Sequence, residues 1–181
     1  MINFDNCRKQ LYSAVISDIL DSMTMLNQVL DPDIRPVDEP KILCGIARVG
    51  LYYPIYHDDE TVNVYEHELK LIDSLRPNEI PVLVCHGLKH IAPWGELLST
   101  RACYLKAGGC ITDGSVRDVR MIREMGFPVY ARSFSPLDTK YRGKLLWSDV
   151  PGKIGGVSVE TGDLIFGDMD GVVVVPREHL E

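Results

Sequence analysis

Three side chains combine the types needed to hold a metal and a small anion: Glu96 and, after a gap of twenty residues, the pair Arg117-Asp118. Arg117 offers a rigid guanidinium fork that matches a carboxylate. Asp118 is a hard oxygen ligand, suited to a magnesium-like ion that keeps several waters and takes one or two protein carboxylates. Glu96 adds a second carboxylate. Each falls where a strand should hand over to a helix: Pro93-Trp94-Gly95-Glu96-Leu97-Leu98 in one case, Thr112-Asp113-Gly114-Ser115-Val116-Arg117-Asp118 in the other. In α/β folds ligands collect at the carboxyl ends of strands. The first N–H groups of the following helix are unpaired there, and the helix dipole favours an anion. Gly95 and Gly114 allow the backbone to approach a ligand closely. A competing reading is purely local. Ser115-x-x-Asp118 has the form of a capping box, worth about 1 kcal/mol without any function, and Arg117 is then a solvated surface residue. The spacings G-x-G-x-x-G and G-x-x-x-x-G-K are absent, so neither junction is a dinucleotide fingerprint or a P-loop.

The elements that must position these residues alternate. A helix is expected over 5–23, with Asp5 as cap and Leu11, Val15, Ile19 and Leu20 at helical spacing. Residues 31–41 are rich in Pro and Asp and read as loop. Strands are expected at 42–49, 80–85, 110–112 and 127–132. Helices are expected at 61–75, at 96–107 with Leu98, Ala102 and Leu105 inward, and at 116–125 with Val116, Val119, Ile122 and Met125 inward and Gly126 after the end. The last 40 residues are rich in Gly, Val and turn residues and read as short strands joined by tight turns. The pattern is β-α-β-α-β followed by a β-rich tail, an α/β chain with a β-rich layer. No repeat or linker divides it, so residues 1–181 are expected to form a single domain.

Composition narrows the function. With 181 residues, 45% hydrophobic and 25% charged, the chain can bury a proper core. A net charge of −7 argues against sequence-independent nucleic-acid binding, which needs many Lys/Arg–phosphate contacts. Residues 101–144 nevertheless hold nine Lys/Arg against four Asp/Glu, a basic segment around Arg117 that can draw a small polyanion. No apolar run approaches the length of a membrane span. Met1-Ile2-Asn3-Phe4-Asp5 has neither the basic nor the apolar region of a secretory signal. The five cysteines (Cys7, Cys44, Cys85, Cys103, Cys110) lack any C-x-x-C and read as reduced, mostly buried thiols, with Cys103 and Cys110 in the core. A cytoplasmic protein is expected.

Glu96 followed by twenty residues and Arg117-Asp118 resembles the acidic-x20-Arg-Asp signature of the RraA-like superfamily. That superfamily includes the class II 4-hydroxy-4-methyl-2-oxoglutarate/4-carboxy-4-hydroxy-2-oxoadipate aldolases. Gly95–Leu98, Asp113–Asp118, Glu124–Val129 and Gly162–Pro176 match it too, although many of these aldolases carry Asp where this chain has Glu96. The resemblance implies a layered β/β/α fold of the swivelling-domain type. It implies that Asp118 binds a divalent cation directly (Mg2+ foremost, Mn2+ or Co2+ otherwise) and that Glu96 contacts it through water. The backbone of Gly95, Glu96, Leu97 and Leu98, with Arg117, would hold the carboxylate and keto oxygen of a pyruvate-like group. The implied reaction is retro-aldol cleavage of a small 2-oxo di- or tricarboxylic acid, with a metal-activated water as candidate base and Arg117 and Asp118 as the catalytic pair. Oxaloacetate decarboxylation is implied through the same pyruvate enolate. No lysine sits in either junction, so Schiff-base chemistry is not indicated. The resemblance also implies a homotrimer or a dimer of trimers. The alternative is the branch of the superfamily that binds and inhibits a ribonuclease. The length is closer to that branch, but the intact Arg117-Asp118 pair is not its pattern.

Other candidates are weaker. His86 and His90 are four apart, the spacing of a helical zinc pair, but Gly87 and the position after a strand favour a loop. His57-Asp58-Asp59-Glu60 and His67 read as a solvated surface near a helix start. Asp168-Met169-Asp170-Gly171 lacks calcium-loop spacing and reads as a β-turn.

Overall fold

A computed structural model describes residues 2–57 and 61–180. Two short helices open the chain, α1 (Phe4–Gln10) and α2 (Ser13–Ser22). The expected single helix over 5–23 breaks at Leu11-Tyr12, which are extended. The cap is Asn3, whose side chain accepts the N–H of Asn6 at 3.0 Å, not Asp5. Ile16 and Leu20 face the core, while Ile19 is exposed.

A two-residue strand β1 (Arg35–Pro36) lies inside the expected loop and is followed by the long β2 (Leu43–Pro54). Then come α3 (Glu66–Asp73), β3 (Glu79–Val84), α4 (Glu96–Tyr104), β4 (Cys110–Val116), α5 (Val119–Met125) and β5 (Val129–Phe134). The tail supplies β6 (Gly143–Ser148), β7 (Gly152–Ile154), β8 (Val157–Val159), β9 (Leu164–Gly167) and β10 (Val172–Val175). The main sheet runs β1-β5-β4-β3-β2-β9-β10. Strands β2 to β5 are parallel, and β1, β9 and β10 are antiparallel to their neighbours. One edge of β2 is shared by two partners: β9 pairs with Leu43–Ile46 and β6 with Gly50–Pro54, across a bulge at Leu51/Tyr52. The hairpin β7–β8 forms a small second sheet.

Side chains of a strand alternate between faces, and here the two faces bury different things. Val82 and Val84 pack with Leu30, Ile34, Ile154, Val157 and Val159 on one side. Leu83 and Cys85 pack with Leu71, Ile72, Trp94, Ala102 and Ile122 from the helical layer on the other. A sheet covered on both faces must read as near-continuous apolar sequence, as β2 and β3 do. Helices α1 and α2 cover the β9–β10 side. Ser13 at the start of α2 is anchored by Asp168 in the β9–β10 turn, which accepts its N–H at 2.7 Å and its hydroxyl at 2.6 Å. The α/β layering matches expectation. Among the described residues no helix is long and apolar enough to cross a membrane.

Strand β4 departs most from the sequence reading. It continues to Val116 through a register shift between Thr112 and Ser115, so Val116 belongs to a buried strand and not to the helix. Ser115 caps nothing: its hydroxyl donates to the Lys89 carbonyl at 2.6 Å and lies 2.7 Å from the Ser133 hydroxyl. Asp118 itself occupies the N-cap position of α5, in the left-handed region (φ 56°), with no side-chain cap bond. The capping-box reading is therefore wrong. Pairing of β4 with β5 holds Ser115 opposite Ser133, and tertiary pairing outweighed the local motif.

Candidate active site

Parallel β3 and β4 end side by side, and the segment after β3 returns along the end of β4. Trp94 bridges to Val116, and the N–H of Arg117 donates to the Trp94 carbonyl at 3.0 Å. Asp113 fixes this segment from below. Its carboxylate accepts the N–H of Cys85 at 2.5 Å and of Gly87 at 2.9 Å. Trp94 Nε1 donates to the Ser99 hydroxyl at 2.7 Å, and that hydroxyl donates to the Gly95 carbonyl at 2.9 Å. The first turn of α4 is thereby locked beside the end of β4.

The left-handed turn at Asp118 sends its carboxylate back toward α4, where Oδ2 accepts the N–H of Glu96 at 3.1 Å. A Cβ on Gly95 would stand 2.6 Å from that oxygen and 2.9 Å from Cγ of Arg117, so only glycine permits the approach. Gly114 has a different task from the expected one. Its missing side chain leaves room for the Ile91 carbonyl and the Cys85 thiol, not for a ligand.

A cleft of about 290 Å3 opens above these groups, walled by Trp94, Gly95, Leu97 and Leu98, by Arg117 and Asp118, and by Tyr65, Glu68, Leu69, Asp138 and Thr139. Arg117 stands between two carboxylates, with Nε 3.7 Å from Asp118 Oδ2 and Nη1 3.7 Å from Asp138 Oδ2. Those separations are ion pairs too long for hydrogen bonds, and they leave the guanidinium N–H groups available to a ligand. The expected residues Gly95, Leu97, Leu98, Arg117 and Asp118 thus share one cleft. Glu96 joins them through its backbone, and its side chain is not part of the wall.

Four polar lining residues went unremarked in the sequence: Tyr65, Glu68, Asp138 and Thr139. The Tyr65 hydroxyl donates to Asp138 at 2.5 Å, and the Thr139 N–H donates to Asp138 at 2.7 Å. Burial pushes the Asp138 carboxyl up, but the Tyr65 hydroxyl, the Arg117 charge and Thr139 together hold it below the usual carboxylate range. Glu68 is buried and accepts a hydrogen bond from Tyr52. Burial drives its pKa upward, Tyr52 lowers it, Asp138 raises it and Arg117 lowers it, for a result of about 7. A sequence signal for Glu68 existed: it stands three and four residues before Leu71 and Ile72, on the apolar stripe of α3. Asp138 and Thr139 lie in the loop between β5 and β6, where no periodicity marks them.

The other candidates stay outside the cleft. His86 packs its ring against Tyr53, with centroids 5.0 Å apart, in a turn at φ 54°. His90 is exposed, and Asp58, Asp59 and Glu60 lie outside the described residues. Cys85 and Cys110 are buried, and burial pushes both thiols up. Cys103 is exposed on α4, contrary to the core position expected.

The donors suit a hard divalent ion. Asp118 presents a carboxylate at the cleft mouth, and Gly95 contributes no Cβ to crowd it. Among the described residues no three His, Cys, Asp or Glu gather as a ligand set. The protein would supply one or two ligands, and water or substrate oxygens the rest, which is the habit of magnesium.

Residues 13–174 match the family model described as RraA-like, Aldolase/RraA, and the chain belongs to that family. DlpA of Legionella pneumophila is 29% identical over 169 residues, 93% of this chain; the chain spans only 27% of that protein. A Halalkalibacterium halodurans protein named "Putative 4-hydroxy-4-methyl-2-oxoglutarate aldolase" is 30% identical over 184 residues, 99% of this chain and 80% of its own. The crystal structure of Streptomyces coelicolor RraAS2, described as an unusual member of the RNase ES inhibitor RraA family, superposes with a TM-score of 0.82. It is 24% identical and covers 93% of this chain and 82% of its own, which speaks to the fold.

Proposed function

We propose that the chain is a divalent-metal-dependent lyase that cleaves 2-oxo acids of the 4-hydroxy-4-methyl-2-oxoglutarate type to pyruvate, with oxaloacetate decarboxylation as a side activity. The observation that carries this reading is the position of Arg117, 3.7 Å from two carboxylates in a cleft that also holds the start of α4 and the Asp118 carboxylate.

The Arg117 fork and the unpaired first-turn N–H groups of α4 would bind the substrate carboxylate. Trp94, Leu97, Leu98 and Leu69 give the cleft an apolar wall against which the carbon skeleton would lie. As a base takes the carbinol proton and the bond between the carbons α and β to the keto group breaks, the electron pair stays on the pyruvyl fragment as an enolate, and Arg117 offsets the developing charge. A divalent cation held by Asp118, with Glu96 reaching it through water, would withdraw charge from the keto oxygen and acidify a bound water. No lysine is among the described residues lining the cleft, in keeping with chemistry that needs no Schiff base. The site is proposed to work within a homotrimer or a dimer of trimers, in the cytoplasm.

Pyruvate release from oxaloacetate and from 4-hydroxy-4-methyl-2-oxoglutarate, with magnesium and then with chelator, tests the proposal. The wild type should turn over at least one compound only with metal, and Arg117→Ala and Asp118→Ala should each lose about 100-fold or more. Absence of metal-dependent turnover on both compounds would sink it. The likeness to RraAS2 favours a second reading, a non-catalytic regulator that binds a ribonuclease. Tight ribonuclease binding by the wild type and by Asp118→Ala alike, without turnover, would establish that reading instead.

A further inference from the structure

One carboxyl in the cleft wall takes no part in the scheme above. Glu68 projects from α3 into the lining at 7% exposure, and its carboxylate accepts the hydroxyl of Tyr52 from β2. Tyr52 is wholly buried, and Glu68 is the acceptor of its hydroxyl among the described residues. The groups that face Glu68 come from every neighbouring element: Tyr52 on β2, the Cys85 thiol at the end of β3, Arg117 after β4, and Asp138 in the β5–β6 loop. Tyr65 at the start of α3 ties Asp138 in place.

Resting on the lyase reading, we infer that Glu68 is the proton-transfer residue of this cleft, donating to the carbon of the pyruvate enolate held beside Arg117, with Tyr52 as its positioning partner. The step balances without a further reactant. The O–H bond of the Glu68 carboxyl breaks, and the enolate electron pair forms a C–H bond as the carbonyl returns. Glu68 is left as a carboxylate and recovers its proton from water. Asp138 is unsuited to the task, because Tyr65, Arg117 and Thr139 keep it ionised. Two carboxyls in one cleft are pushed apart in proton affinity, the arrangement that separates an acid from a charge-bearing neighbour. Burial, with Asp138 beside it, pushes the Glu68 carboxyl up to about 7, so that it can carry a proton near neutral pH.

The test is exchange of the pyruvate methyl protons with D2O, followed by NMR on the full chain with magnesium, beside pyruvate formation from oxaloacetate. The wild type should exchange, with the exchange rate rising as pH rises through about 7, because abstraction of a methyl proton needs the Glu68 carboxylate. Glu68→Gln should lose about 100-fold in exchange and lose that limb. Tyr52→Phe removes a hydrogen bond that favours the carboxylate, so its limb should move to higher pH. A carbon-detected titration of the metal-free chain should show one carboxyl near 7 that is absent from Glu68→Gln. Wild-type exchange with an unchanged rate and limb in Glu68→Gln overturns the inference and leaves the lyase reading standing. If Glu68→Gln does not fold, an unmoved limb in Tyr52→Phe overturns it equally. A wild type with neither exchange nor turnover overturns both.

Discussion

A methyl group at Gly95 would meet Asp118 Oδ2 at 2.6 Å and Arg117 Cγ at 2.9 Å. Neither can retreat far, because Oδ2 also accepts the Glu96 N–H and Asp118 sits in a left-handed turn. Gly95→Ala should therefore lower lyase kcat/KM by about 100-fold, as expected when reacting groups shift by about 1 Å. Its melting temperature should move by only a few degrees; retention of full activity would show that the Asp118 position is not critical. Glu68 sets a second expectation. Its folded pKa lies above the ordinary glutamate value, so the folded state holds the proton more tightly. That contribution is complete below roughly pH 4.3 and is lost as pH rises through about 7. Over this window the difference is about 4 kcal/mol at most. Denaturant titrations from pH 4 to 8 should show this decline in the wild type and a flatter profile in Glu68→Gln. Gly95, Arg117 and Asp118 were legible in the sequence because they sit at the carboxyl ends of predicted strands. Glu68 is legible only by tracing the face of α3 that Leu71 and Ile72 share with it.

At the scale of elements, the short α4 depends on side chains more than on its own propensity. The Ser99 hydroxyl takes the indole N–H of buried Trp94 and returns a bond to the Gly95 carbonyl. Ser99→Ala would leave the indole nitrogen buried without its acceptor, a cost of about 1 to 3 kcal/mol. Thermal or denaturant unfolding should read that loss, and activity should fall further than stability because the Gly95 backbone is no longer held. Element identities in the β-α-β-α-β centre followed from periodicity, and the end of α5 followed from Gly126. The strand β4 did not. Its final residues have no alternation to mark them, and their extension is imposed by Ser133 and Lys89 from elsewhere in the chain. Similarly, the break between α1 and α2 arises where Ser13 is drawn to Asp168, a partner 155 residues away.

For the whole molecule, the cleft lies at the rim of the sheet, and of its wall Trp94 and Leu98 also belong to an apolar cluster. Asp118 is 40% exposed at its side chain, so a divalent ion bound there adds only the stabilisation of a ligand at its working concentration. Chelation should abolish turnover while shifting the melting temperature by less than about 3 °C. A large shift would mean that the ion is structural. The overall charge of −7 and the basic stretch around Arg117 were legible from composition. The assembly of the cleft from four separate parts of the chain was not, because Asp138 and Tyr65 meet only through folding.

The edge of β2 that β9 and β6 share has a consequence for biosynthesis. Residues Leu43–Pro54 emerge from the ribosome long before either covering strand exists, since β6 begins at Gly143 and β9 at Leu164. At roughly 5 to 20 residues per second, that edge stays open for on the order of ten seconds. A nascent chain with an unpaired apolar strand is prone to pair with a neighbour on the same polysome. Yield should accordingly rise when a chaperone that shields extended apolar segments is supplied during translation.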